Sequence, residues 1–77
     1  MEVALKVLRL LLEYDAKAGT NVATLEAMDW WLDVEDDVET FFFGLAQATI
    51  EGWVISKAPG KIQITTAGIA AAQKSLH

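Results

Sequence analysis

Polar residues return near the start of the chain at Glu2, Lys6, Arg9 and Glu13, a helical spacing that leaves almost everything between them apolar. The spacing predicts a helix from Glu2 to about Ala18, stopped by Gly19. Its apolar arc is wide. Leu5, Leu8, Leu11 and Leu12 form one stripe, and Val3, Val7, Leu10 and Tyr14 form a second beside it. Such a helix has to be covered on two sides, either by the domain core wrapping it or by the core and a second copy of the chain.

The pattern changes after Gly19. Thr20 to Ala23 reads as a short connection with strand character at Val22, and Thr24 is expected to cap a second helix carrying Leu25, Met28 and Leu32. Trp30 and Trp31 fall at its end. Asp33 to Asp37 places four carboxylates in five residues, which repel one another and favour caps over helix interiors, so this segment is expected to turn. Asp36 or Asp37 then caps a third helix from Val38 to about Glu51, where an acidic group also suits the positive end of the helix dipole.

Gly52 ends that helix. Trp53-Val54-Ile55 and Lys61-Ile62-Gln63-Ile64 are β-prone runs flanking Ala58-Pro59-Gly60, which predicts a hairpin. Thr65 is expected to cap a last helix through Ala67, Ala70, Ala71, Ala72 and Leu76, whose small residues permit close packing. No internal repeat, low-complexity segment or linker interrupts the chain, and its 77 residues allow one domain over 1–77 with a single core of marginal stability.

Composition narrows the chemistry. There is no Cys, and the only His is His77, so disulfides, thiolate metal sites and bound cofactors are not expected. Hydrophobic residues make up 53% of the chain, a high share for so small a domain, and some apolar surface is expected to meet a partner. The apolar run Leu10 to Leu12 is far short of the ~20 residues a bilayer span needs, and no signal-peptide pattern is present, so a cytoplasmic protein is expected. The net charge is −5, and its distribution says more than its total: no Lys or Arg occurs between Ala18 and Ser56. Asp29, Asp33, Glu35, Asp36, Asp37 and Glu39 crowd that stretch instead, which makes phosphate a poor ligand for it. Carboxylates are plentiful, but no His, Cys or Gly-rich loop accompanies them and Ser56 and Ser75 lack a nearby base, so neither catalysis nor a small-molecule substrate is expected.

The order helix, helix, turn, helix, hairpin, helix resembles the winged helix-turn-helix superfamily. The resemblance rests on Leu45, Ala48, Gly52-Trp53-Val54, the hairpin, Ile64-Thr65-Thr66-Ala67-Gly68 and Thr24-Leu25-Glu26-Ala27-Met28. It implies an α+β, mainly α fold: a three-helix core, a two-stranded β-hairpin wing and a C-terminal helix. In DNA-binding members the third helix enters the major groove and the wing reaches the neighbouring backbone. Carried over, Phe41, Leu45 and Ala48 are core, and Thr40, Phe43, Gln47 and Ile50 lie on the recognition face. The departure from that pattern is chemical, because only Gln47 is suited to reading base edges and only Lys57 and Lys61 on the wing are placed for phosphates.

Successive helical residues stand about 100° apart, so Phe41, Phe42 and Phe43 cannot share one core face. Phe41 and Phe42 are expected inside by their spacing to Leu45 and Thr49, while Phe43, Ala46, Gln47 and Ile50 form an outward stripe. Trp53 is expected in the core. One of Trp30 and Trp31 is expected near the acidic turn as an interface anchor. The acidic cluster itself reads as a solvated cap, a docking patch for a basic partner, or a cation site or DNA mimic, though it lacks EF-hand spacing. Two functions follow. The first is a non-enzymatic module acting through protein contacts, with Trp30, Trp31, Phe43, Ala46, Gln47 and Ile50 as partner contacts. It is expected to form a homodimer through Val3, Val7, Leu10, Tyr14, Ile69, Ala72 and Leu76. The alternative is a DNA-binding regulator using Thr40, Gln47, Lys57 and Lys61. No membrane partner is expected.

Overall fold

The first helix, α1 (Glu2–Glu13), forms the spine of the core, with Ala4, Val7, Leu8, Leu10 and Leu11 buried. A computed structural model describes residues 2–14 and 17–75 of the chain. The helix is shorter than the expected run to Ala18. Among the described residues its closing main-chain bond is Tyr14 N–H to Leu10 O at 3.2 Å, and Lys17 to Asn21 are exposed and outside the helix. Gly19 takes φ 85° in the turn that follows, where glycine meets no steric penalty.

A short strand, β1 (Val22–Ala23), runs into α2 (Thr24–Leu32). The expected Thr24 cap is not formed. Thr24 is the first helical residue, Ala23 occupies the cap position without a side-chain bond, and the Thr24 N–H donates to Gly60 O at 2.9 Å instead. A carbonyl from a distant turn thus satisfies one of the free N–H groups of the first helical turn. Ala27 and Trp31 are the buried residues of α2.

The third helix, α3 (Val38–Ile50), is capped by Asp37, whose carboxylate accepts from the Glu39 N–H at 3.0 Å and from the Thr40 hydroxyl. At its other end the Gly52 N–H donates to Thr49 O at 3.1 Å and the Trp53 N–H to Ala48 O at 2.9 Å. That pair of bonds is a Schellman ending, which requires the left-handed backbone that Gly52 supplies at φ 76°. Phe41, Gly44 and Ala48 face inward. Gly44 sets the approach of α3 to α1, since a Cβ there would come within 2.8 Å of Val3 Cγ1 and 2.9 Å of Val7 Cγ2.

Strands β2 (Val54–Ile55) and β3 (Lys61–Ile64) pair antiparallel with Val54 opposite Ile64, and β1 adds to the other edge of β3 with Val22 opposite Ile62. The sheet order is β1-β3-β2. Ile62 and Ile64 point to the core, whereas Gln63, on the opposite face, is buried with its amide donating to Asn21 Oδ1 at 2.7 Å. The last helix, α4 (Thr66–Lys74), is capped by Thr65, whose hydroxyl accepts from the Gly68 N–H at 3.0 Å and donates to Gly52 O at 2.8 Å. Gly68 is required there, because a Cβ would overlap the Trp53 carbonyl. At the end of α4, Arg9 Nη1 donates to Ser75 Oγ at 2.9 Å, tying α1 to it. The described chain is therefore α+β and mainly helical, with four helices and a three-stranded antiparallel sheet.

Two expectations about α1 and α3 are corrected by this packing. Val7, Leu10 and Ala72, expected at a dimer surface, are buried inside the chain because α3 and α4 both pack on α1. Val3 and Ile69 are half-buried against the same core, and Leu76 lies outside the described residues. Phe42, expected in the core, is 43% exposed because the contact of Gly44 with α1 fixes a helix phase that turns it outward. Leu45 and Trp53 pack on the core edge without full burial, and Thr49 is exposed.

Candidate functional site on the third helix

Once α1 has taken the face of Phe41, Gly44 and Ala48, the opposite side of α3 is left to solvent. Phe43 is 59% and Ile50 74% exposed, and Ala46 between them is exposed as well, so three of the four residues of the expected outward stripe are on the surface. Phe42 widens it from the side, its ring set edge-on to Phe41 with centroids 5.1 Å apart. Gln47 and Thr40, at the stripe's margin, are half-buried. From Glu39 to Ile50 the face runs about 16 Å at the helical rise.

Acidic groups frame this face at both ends. Asp36, Asp37 and Glu39 are exposed at its start and Glu51 at its finish. The Thr40 hydroxyl, donating to the Asp37 carboxylate, holds its pKa below the ordinary aspartate range, with the Thr40 and Glu39 main-chain N–H groups adding to this against partial desolvation. Asp37, Glu39, Thr40 and Phe43 line an open groove of about 300 Å³. No Lys or Arg lies on α2 or α3. Among the described residues the one ion pair is Lys6 Nζ to Glu35 Oε1 at 3.1 Å, so none of them pairs with the acids framing α3.

The tryptophans divide differently from the expectation. Trp31, a proposed partner contact, is 2% exposed and belongs to the core, its indole N–H donating to Asp37 O at 2.9 Å. It fixes the acidic turn from inside, and that bond rewards burial of the whole ring. Trp30 is half-buried, stacked on Tyr14 with centroids 4.5 Å apart and planes 4° from parallel. Tyr14, expected at a dimer surface, spends one ring face on that stack. Sequence periodicity could not pair them, since Tyr14 follows the end of α1 and Trp30 lies on α2.

Lys57 and Lys61 are exposed on and beside the β2–β3 connection, where the Ser56 hydroxyl is shared between Ala58 O and Lys61 O at 3.1 and 2.9 Å. A second groove, of about 180 Å³, lies between α1 and the turn after α2. Lys6, Arg9, Glu13 and Glu35 line it in balanced charge, with Leu10, Trp31 and Val34 as its apolar part. Leu25, expected on the apolar side of α2, is instead strongly exposed, as is Val34 in the turn after that helix. Among the described residues no cluster of His, Cys, Asp or Glu is arranged to hold a metal ion, and no helix is long and apolar enough to cross a membrane. Comparison with known protein families, with curated proteins and with solved structures gives no significant match.

Proposed function

We propose that this chain is a non-enzymatic module of the winged-helix type that acts through protein contacts made by the solvent face of α3. The order of three helices, a β2–β3 strand pair and a closing helix supports the winged-helix part of the reading, with β2–β3 as the wing. One observation carries the functional part. The helix that reads the DNA groove in DNA-binding members of that superfamily here offers solvent Phe42, Phe43, Ala46 and Ile50, and not one cation. Burying a Phe or Ile side chain is worth roughly 1.5–3 kcal/mol, so a partner covering this stripe gains substantially from it.

The DNA-binding alternative has less support. Thr40 spends its hydroxyl on the Asp37 cap, Gln47 is half-buried, and Lys57 and Lys61 alone face a phosphate backbone that the acidic turn repels. A dimer through α1 and α4 is not retained either, since its central side chains are occupied within the chain.

The test pairs an apolar fluorescent dye with random duplex DNA in low salt. The native chain binds the dye while still unfolding cooperatively, Phe43→Ser with Ile50→Ser removes that binding, and the duplex is not bound. Dye binding unchanged in the double variant, or DNA binding lost with Lys57→Glu and Lys61→Glu, would overturn the reading.

A further inference from the structure

The face of α3 also states the chemistry of what covers it. Its centre is apolar, and its two ends are acidic: Asp36, Asp37 and Glu39 at the start, Glu51 at the finish. A second copy fits this poorly. Placed parallel, two α3 helices set like ends together, and placed antiparallel they set Glu39 against Glu51, so acid meets acid in either orientation with no Lys or Arg on the helix to relieve it. Nucleic acid and anionic lipid surfaces are repelled for the same reason.

We propose that the partner is a basic amphipathic helix, with an apolar stripe that lies along Phe43, Ala46 and Ile50 and Lys or Arg residues that reach the acidic ends. The proposal rests on the reading of α3 as a protein-contact helix and names the class of partner. The groove formed by Asp37, Glu39, Thr40 and Phe43 takes one of those basic side chains. Its aliphatic stem lies over the Phe43 ring and its charged head reaches the two carboxylates, combining an apolar contact with ionic ones. A helix of about two heptads matches the length of the face, with anchors repeating at the spacing of Phe43, Ala46 and Ile50.

The probe is a fluorescently labelled two-heptad synthetic helix with leucine at the inward positions and lysine at the flanks, titrated with the native chain by anisotropy. The same helix with glutamate flanks is the comparison. The lysine helix binds and the glutamate helix does not. Phe43→Ser with Ile50→Ser, which leaves the charge unchanged, weakens binding about tenfold or more, as does Glu39→Lys. Glu26→Lys alters net charge equally from the first turn of α2 and changes binding by about twofold at most, as expected for a screened charge outside the contact.

Equal losses from Glu26→Lys and Glu39→Lys, or binding indifferent to the serine variants, would reduce the interaction to net charge and overturn the proposal. A native chain that binds neither helix but self-associates, and loses that in the serine variant, would replace the basic partner with a second copy while sparing α3 as a contact helix. A native chain that binds neither helix and stays monomeric overturns the proposal. If the serine variants alter no dye binding either, the reading of α3 falls with it.

Discussion

The helices α1 and α3 are both rich in apolar residues, yet one spends them inside the chain and the other leaves its largest ones in water. On α1, α3 and α4 cover neighbouring stripes, and the wide arc that suggested a dimer is consumed by the core. On α3, α1 together with α2 and β2 covers the side that carries Phe41, Gly44 and Ala48, and Phe42, Phe43 and Ile50 remain outside. The amount of apolar surface on a helix therefore says little about where a partner binds. The decisive quantity is how many faces the rest of the chain reaches, and a single small residue such as Gly44 can settle which one that is.

Substitutions at matched positions break or sharpen this contrast. Leu8→Ala, at a fully buried site of α1, should destabilise the chain by about 2–5 kcal/mol in denaturant melts, enough to unfold a large share of so small a domain. Gly44→Ala should cost about 1–3 kcal/mol, because the new methyl presses on Val3 and Val7, and trimming Val7 to Ala in the same chain should recover part of the loss. If the double variant is no better than the sum of the two single changes, the close approach of α1 and α3 is wrong.

Acid should act next in size, through Asp37. Its pKa is lowered in the fold, so its contribution is present above the unfolded value of about 3.9 and is lost as pH falls through the lower folded value. Thermal melts should hardly change from neutral pH down to about 5 on this account and should fall below about 4. Asp37→Asn keeps a capping oxygen without the charge and should flatten the part of the acid limb that Asp37 supplies, whereas Asp37→Ala should lower stability across the whole range. Smallest of all, Phe43→Ser and Ile50→Ser should each shift stability by no more than about 0.5 kcal/mol, despite removing large apolar groups. A loss comparable to Leu8→Ala would mean that α3 is covered within the chain.

Features decided within a few residues were legible in the sequence. Thr65 and Asp37 cap the helices they precede, Gly52 ends α3, and β3 spans Lys61–Ile64 as expected, while β2 starts one residue late at Val54 because Trp53 is still bonded into the end of α3. What failed depended on distant contacts. Thr24 became the first helical residue, its N–H held by the Gly60 carbonyl, and β1 gained a partner across the sheet. Phe42 was turned outward by a glycine's approach to another helix, and α1 spans only Glu2–Glu13. Of the expected outward stripe, Phe43, Ala46 and Ile50 are exposed, Phe43 because three aromatic residues in succession cannot share one face, while Gln47 is half-buried. Which tryptophan was buried was not legible, because it turned on the hydrogen bond from Trp31 to Asp37 O.

The most direct test is paramagnetic broadening of side-chain resonances by a soluble nitroxide in the native, dilute chain. Ile50 methyl and Phe43 ring signals should broaden first, while Val7, Leu8 and Leu11 methyls stay sharp. Protection of Ile50 and Phe43 together with broadening of Val7 would contradict the account, for it would place the open apolar face on α1 and remove the surface on which the proposed function depends.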